Sequence, residues 1–354
     1  MSDGPPPPRA NPDLEGHAEA EQTLRAALGS GRLHHAWLIT GPEGIGKATL
    51  AFRFARFILA GGAAEPAGSD LFGPPAAAPA NGLGIEPNHP VFRQIASGGH
   101  PDLVTVERTM SDDGEKRQTE IVVDDVRRMG EFLRLTPAMG SHRVAVIDAA
   151  DDLNRNAASA LLKTLEEPTP GAVILLVAQR PGRLLATVRS RCRMLPLKAL
   201  AEANVRTLLG RYCPDLGPDD ATEIARLADG SIGRAVAYAQ AGGLELGREL
   251  FALLAGLPAL PISRLHAFAD RVQRNEAAFR IVIELLAGWL ARLVLATAGA
   301  APPPTPSVAA TDPRPWLAAR DQVERLAGLN DWANLDRKQV MMGAMFAVEK
   351  AARG

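Results

Sequence analysis

Residues 36–59 constrain this chain more than any other stretch. An apolar run at 36–39 predicts a buried parallel strand. Residues 47–59 carry apolar side chains at helical spacing, with Leu50, Phe54, Phe57 and Ile58 on one side. Between the two lie Gly41, Gly44 and Gly46, and Lys47 follows directly. Strand, glycine-rich turn and helix is the setting a phosphate-binding loop needs. The glycines let backbone N–H groups turn inward around phosphate oxygens, and the helix N-terminus adds a partial positive charge. Lys47 would reach the terminal phosphates. The pattern departs from the full motif at its last position, where Ala48 replaces the hydroxyl that holds Mg²⁺. Thr49 comes one residue late, rotated by about 100° around a helix, so it is no simple substitute. The alternative is a turn that only joins strand to helix.

A chain of 354 residues suggests two or three domains, and 46% hydrophobic residues are ample for their cores. The net charge of −1 offers no basic field to draw in free nucleic acid. Cys192 and Cys213 are the two cysteines, too few for a disulfide framework or a cysteine metal cluster, which fits a reducing, cytoplasmic compartment. No run approaches the ~18 apolar residues of a membrane span, so no membrane association is expected. His34 and His35 lack a Cys or acidic partner nearby and read as structural.

Along the chain, the proline-rich residues 1–14 read as a disordered or extended tail and 15–28 as a helix. Residues 60–88 include an Ala/Gly/Pro-rich flexible insertion. Strands are expected at 103–106, 143–147, 172–178 and 193–197, and helices at 121–135, 156–165 and 181–188. The strand at 143–147 ends in Asp148, an acidic residue at the carboxyl end of an apolar strand, as a Walker B site has. Its neighbour is Ala149, where an active site places a Glu to orient water. Apolar strands alternating with helices predict an α/β fold with a parallel sheet covered on both faces. After residue 199 strand signals cease. Three short helices are expected at 201–210, 219–228 and 231–239, with Ser231 as an N-cap and Arg234 in a first turn where the helix dipole gives it no help. An all-helical region follows, with stripes at Ile281, Leu285, Leu286, Trp289, Leu290 and Leu293, and at Val340, Met341, Ala344, Met345 and Val348. The Met pair reads as core. Residues 299–315 are expected as a loop. The boundaries are therefore a tail at 1–14, a P-loop domain at 15–198, a helical lid at 199–245 and a helical domain at 246–354.

Several signatures occur together: His35-Ala36-Trp37-Leu38, His100-Pro101-Asp102, Val123-Asp124-Asp125-Val126-Arg127, Leu161-Leu162-Lys163-Thr164-Leu165-Glu166-Glu167-Pro168, and Ser190-Arg191-Cys192. With the turn at 230–234 they resemble the clamp-loader subunits of the AAA+ family, over residues 15–240 or so. The resemblance implies an AAA+ P-loop domain, a helical lid and a C-terminal collar that holds five subunits in a ring. By position it makes Arg191 a trans-acting arginine finger for a neighbour's ATP site, with no catalytic residue in cis. It makes Gly41, Gly44, Gly46, Lys47, Thr49, Asp148 and Arg234 the nucleotide-binding set. Ala48, Ala149 and Ala178-Gln179 depart from the hydrolytic pattern, which implies ATP or ADP bound without hydrolysis and leaves Mg²⁺ open. Residues 60–99 contain no Cys, so the family's four-cysteine zinc module is not expected. The implied partners are tau/gamma and delta loader subunits in a heteropentameric ring, the sliding clamp, and primed DNA in the assembly, which serves a DNA-directed DNA polymerase in the cytoplasm. Two alternatives stand: an active loader ATPase of the tau/gamma type or another AAA+ remodeller, and a free-standing DNA-binding protein. The near-zero net charge disfavours the latter, although Arg127 and Arg128 could touch phosphates within an assembly.

Overall fold

The computed structural model describes residues 4–62, 82–108, 118–297, 299, 312–333 and 335–353. The chain forms two compact units, Met1–Leu208 with Asp229–Gly233, and Leu209–Ala228 with Arg234–Gly354.

The first unit is built on a sheet of β1 (Ala36–Thr40), β2 (Leu103–Val106), β3 (Arg143–Asp148), β4 (Ala172–Ala178) and β5 (Arg193–Pro196). All pairs are parallel and the order is β2-β3-β4-β1-β5. The expected fold class is the observed one. Every residue of β1 and β4 is buried, which is why both read as apolar runs without alternation. Helices α1 (Ala18–Gly29), α2 (Lys47–Leu59), α3 (Pro90–Ala96), α4 (Val123–Arg134), α5 (Arg155–Glu166) and α6 (Ala186–Arg189) complete the layers. Val126, Met129 and Leu133 of α4 and Leu161 and Leu165 of α5 share one core with Leu38, Ile147, Ile174 and Leu176 of the sheet. Their apolar spacing of three and four residues puts them on one face of each helix.

Three local expectations are corrected. The proline-rich start is no free tail from Pro7 to Asp13. A 3-10 turn at Pro8–Ala10 leads into buried Asn11, and buried Arg56 of α2 donates to Arg9 O at 3.0 Å and Asn11 O at 2.8 Å. Arg53 adds a bond to Pro12 O at 2.6 Å. Next, α1 begins at Ala18 rather than 15, because the chain first turns at Gly16, whose φ of +78° is left-handed. Last, the helix expected at 181–188 is two pieces, Pro181–Arg183 and α6, separated where Leu184 runs extended to place its side chain in the core.

The far end of the insertion is anchored: Leu83 is buried and its N–H donates to Glu21 Oε1 at 3.2 Å. Residues 63–81 of the insertion and residues 109–117 lie outside the described residues.

Helix α7 (Glu202–Tyr212) starts in the first unit, and α9 (Ile232–Gln240) passes into the second. The second unit is helical: α8 (Pro218–Leu227), α10 (Gly243–Leu254), α11 (Ile262–Val272), α12 (Glu276–Thr297), α13 (Pro313–Ala333) and α14 (Arg337–Arg353). Its core takes the α12 stripe, with Trp289 edge-to-face against Trp316 at 6.0 Å, and the fully buried Met341 and Met345. The loop expected through 315 ends sooner. Pro313 opens α13, and Asp312 caps it by accepting from Arg314 N at 3.0 Å. Among the described residues no helix is long and apolar enough to cross a membrane.

Candidate functional site

The glycine-rich loop leaves the C-terminal end of β1, the end at which parallel α/β sheets bind ligands. Gly44 and Gly46 have φ of +72° and +98°, and Gly46 is the left-handed residue from which α2 starts. Both angles are costly for any residue with a Cβ. Gly44 is pinned as well. Its carbonyl accepts from Gly233 N at 2.9 Å, and a Cβ on it would lie 3.1 Å from Gly233 Cα and 2.3 Å from Ser231 Oγ. The next carbonyl, that of Ile45, accepts from Nε2 of buried His17 at 2.7 Å. Burial lowers the pKa of His17, so the ring is a neutral N–H donor there. With these carbonyls held outward, the first-turn N–H groups of α2, which have no intrahelical acceptor, are left to the cradle.

Lys47 is buried and its amine donates to Pro42 O within the loop. Burial lowers its pKa, while the charges of Glu43, Asp148 and Asp151 act to raise it. Asp148 ends β3 opposite Val177 of β4. Burial above all, then the Glu107 charge, pushes its carboxyl up to about 6, with Lys47 pulling the other way. Gly41, Gly44, Gly46, Lys47, Thr49 and Asp148 thus gather at one end of the sheet, with Thr49 buried in the first turn of α2.

These residues fit phosphates and do not fit a divalent ion. A lysine and an intact glycine turn are present, but Ala48 has no side-chain hydroxyl and Ala149 follows Asp148. A carboxyl with its pKa near 6 also shows that ionising Asp148 is costly where it sits. Among the described residues no group of His, Cys, Asp or Glu is arranged to hold a metal ion. Just past β4, Gln179 N and Arg180 N both donate to the Asp151 carboxylate at 3.1 Å.

Arg191 lies at the opposite end of the same sheet. It precedes β5, whose Arg193 pairs with Trp37 and whose Pro196 pairs with Thr40, the residue before the loop. About 10 Å of strand separates Arg193 from the level of Thr40, and Arg191 is farther back still. Its side chain is 36% exposed and bridges to Glu166 at 2.7 Å. Arg234 stands in the first turn of α9 and belongs to the second unit.

Sequence reading missed His17, Gly233, Asp151 and Glu166. Each acts on a partner far along the chain, and only the Glu166-Glu167-Pro168 run and the turn at 230–234 carried any signal, as part of the resemblance.

Known proteins resemble the chain as follows. A family model described as "DNA polymerase III, delta subunit" matches residues 85–201. The chain is 34% identical over 212 residues to DNA polymerase III subunit delta' of Pseudomonas aeruginosa, covering 60% of this chain and 58% of that protein. It is 30% identical over 289 residues to subunit delta' of Escherichia coli, covering 81% and 75%. Subunit tau of Escherichia coli is 28% identical over 312 residues, covering 81% of this chain and 44% of tau.

Proposed function

The chain belongs to the delta-prime family of DNA polymerase III subunits, and on that premise we propose that it is a non-hydrolysing stator of the clamp loader. In this reading it works in the cytoplasm, in a ring with tau/gamma and delta subunits that loads the sliding clamp onto primed DNA. It lends Arg191 to a neighbour's ATP site and holds ATP or ADP, if any, without turning it over.

One observation supports the reading above the others: the cradle and the arginine occupy opposite ends of one sheet. A cradle that begins where β1 ends is out of reach of a guanidinium that sits before β5 begins. A phosphate met by Arg191 would therefore belong to a site on another chain. A planar, always-charged guanidinium suits that use, because it can bridge phosphate oxygens as charge builds on them. The cradle meanwhile has no side-chain hydroxyl at Ala48 to hold a metal and no carboxylate at Ala149 to orient water.

The test has two arms. The purified chain alone should show no ATP turnover above background. Turnover of roughly 1 per second or faster, removed by Lys47→Ala, would instead establish an active ATPase of the tau type. In a loader reconstituted with wild-type ATPase subunits, Arg191→Ala should lower the DNA- and clamp-stimulated ATPase. A trans arginine is worth about 10³–10⁵ in rate elsewhere, and the effect here is diluted by the sites this chain does not complete. Arg191→Lys should not restore the rate, since a point charge lacks the planar fork. Equal rates with wild type and Arg191→Ala in intact complexes would refute the role.

A further inference from the structure

The Arg191 guanidinium is already oriented within its own chain. Nη2 meets Glu166 Oε1 at 2.7 Å, and Nη1 donates to Thr187 O at 3.0 Å and to Ser190 Oγ at 3.4 Å. A guanidinium has five N–H donors. Nη1 is taken by Thr187 and Ser190 and Nη2 lies beside the carboxylate, which leaves the remaining N–H groups for a ligand.

The acceptors are themselves fixed. Thr187 lies in α6, which is anchored by fully buried Val188. Glu166 is the last residue of α5. That helix is held at its start by Asn154, whose Oδ1 accepts from Ala157 N at 2.9 Å, and near its end by buried Leu165. The Leu165 carbonyl accepts from Nε2 of His35 at 3.0 Å, and His35 directly precedes β1. His35 thus acts by tying the end of α5 to the edge of the sheet. A chain of contacts runs from the sheet through His35 and the end of α5 to the Glu166 carboxylate, and from there to Arg191.

We infer that Glu166 is a positioning residue for Arg191, holding the guanidinium in a set orientation at the N-terminal edge of the sheet with its remaining N–H groups ready for a neighbour's phosphate. The inference rests on the trans-arginine reading proposed above. Glu166 touches no reacting atom. It acts by sparing Arg191 the search among its rotamers when the neighbouring site closes, which is a gain of orientation and not of charge. Its own negative charge works against phosphate binding, so aim and repulsion have opposite signs and the rate reports which prevails.

The experiment uses the reconstituted loader with four versions of this chain: wild type, Glu166→Ala, Arg191→Ala and the double variant. Assembly of each is confirmed by gel filtration, and kcat and KM for ATP are measured with DNA and clamp present. Glu166→Ala should lower kcat about two- to five-fold, the span expected for an exposed ion pair, with KM unchanged. Glu166→Gln, which keeps a carbonyl acceptor, should fall between Glu166→Ala and wild type. In the Arg191→Ala background, Glu166→Ala should have no further effect, because a residue that acts through Arg191 has nothing left to position. The same fractional loss in both backgrounds overturns the inference and assigns Glu166 a structural role. A kcat at or above wild type for Glu166→Ala overturns it too, since repulsion then outweighs aim. If Arg191→Ala matches wild type, the trans-arginine reading itself has failed, and that result is distinct from either of the others.

Discussion

Asp148→Asn should make the protein more stable at pH 8, and by a margin that closes as the pH falls. Burial and the Glu107, Asp152 and Asp151 charges move the Asp148 carboxyl from 3.8 to about 6, against the pull of Lys47. Unfolded, the group releases its proton near 3.8; folded, it keeps it until about 6. Between those values the folded chain binds more protons than the unfolded one, so stability declines as pH rises through the window. Above 6 the whole cost is present, and below 3.8 none of it is. The displacement from 3.8 to about 6 is worth about 3 kcal/mol at pH 8. Asn has nearly the same shape and carries no charge at any pH, so it removes that cost. Urea unfolding of wild type and Asp148→Asn at pH 4, 6 and 8 measures it, read by emission in a background where Trp289, Trp316 and Trp332 are replaced by Phe, so that the fully buried Trp37 of β1 reports on the first unit. Differences between the two proteins cancel the titration of carboxylates that do not interact with Asp148. A gain that stays constant with pH, or a loss at pH 8, would refute the reasoning.

Two further outcomes follow from the cradle. Gly44→Ala should cost about 2–4 kcal/mol, combining left-handed strain with crowding against Gly233; Gly31→Ala, at a φ of +66° with nothing within 4 Å of a new Cβ, should cost about 1, and equal melting temperatures for the two variants would show that the Gly44–Gly233 contact is loose. Titration of ADP followed by calorimetry should give the same affinity in Mg²⁺ and in EDTA, within about two-fold; a tenfold gain in Mg²⁺, about 1.4 kcal/mol, would reveal a metal ligand set despite Ala48, and no binding in either buffer would remove nucleotide from the reading.

The parts of the fold legible in the sequence are those whose cause is local. The apolar runs of β1 and β4 are buried at every position, so their burial is written in their own composition. Helix α2 begins and ends where its spacing predicts, at Lys47 and Leu59. The glycines and lysine of the cradle were legible because a tight turn and a phosphate demand particular residues in particular order. The rest depends on distant partners. Leu184 breaks an expected helix because the core needs its side chain more than the segment needs its helical bonds. His17 and Ile45 are 28 residues apart, and Gln179 meets Asp151 across the same separation. No spacing rule joins such pairs. The proline-rich start was misread for the same reason: its composition is that of a tail, and what holds it, Arg56, lies 45 residues beyond Asn11.

Arg53 and Arg56 grip the amino-terminal segment by the main-chain oxygens of Arg9, Asn11 and Pro12. A carbonyl is the same whichever residue bears it. The segment is therefore constrained in its length and, apart from buried Asn11, whose Oδ1 accepts from Asp13 N at 2.9 Å, little in its letters: substitutions at Arg9 and Ala10 present the same oxygens, whereas deleting one residue slides every oxygen out of register with two arginines that cannot follow. Leu14 and His17, which lie against Gly46 and Ile45 of the phosphate loop, would be dragged along by the same slip. The opening residues, which by composition look the most expendable in the protein, are in effect a measured spacer under its glycine-rich loop.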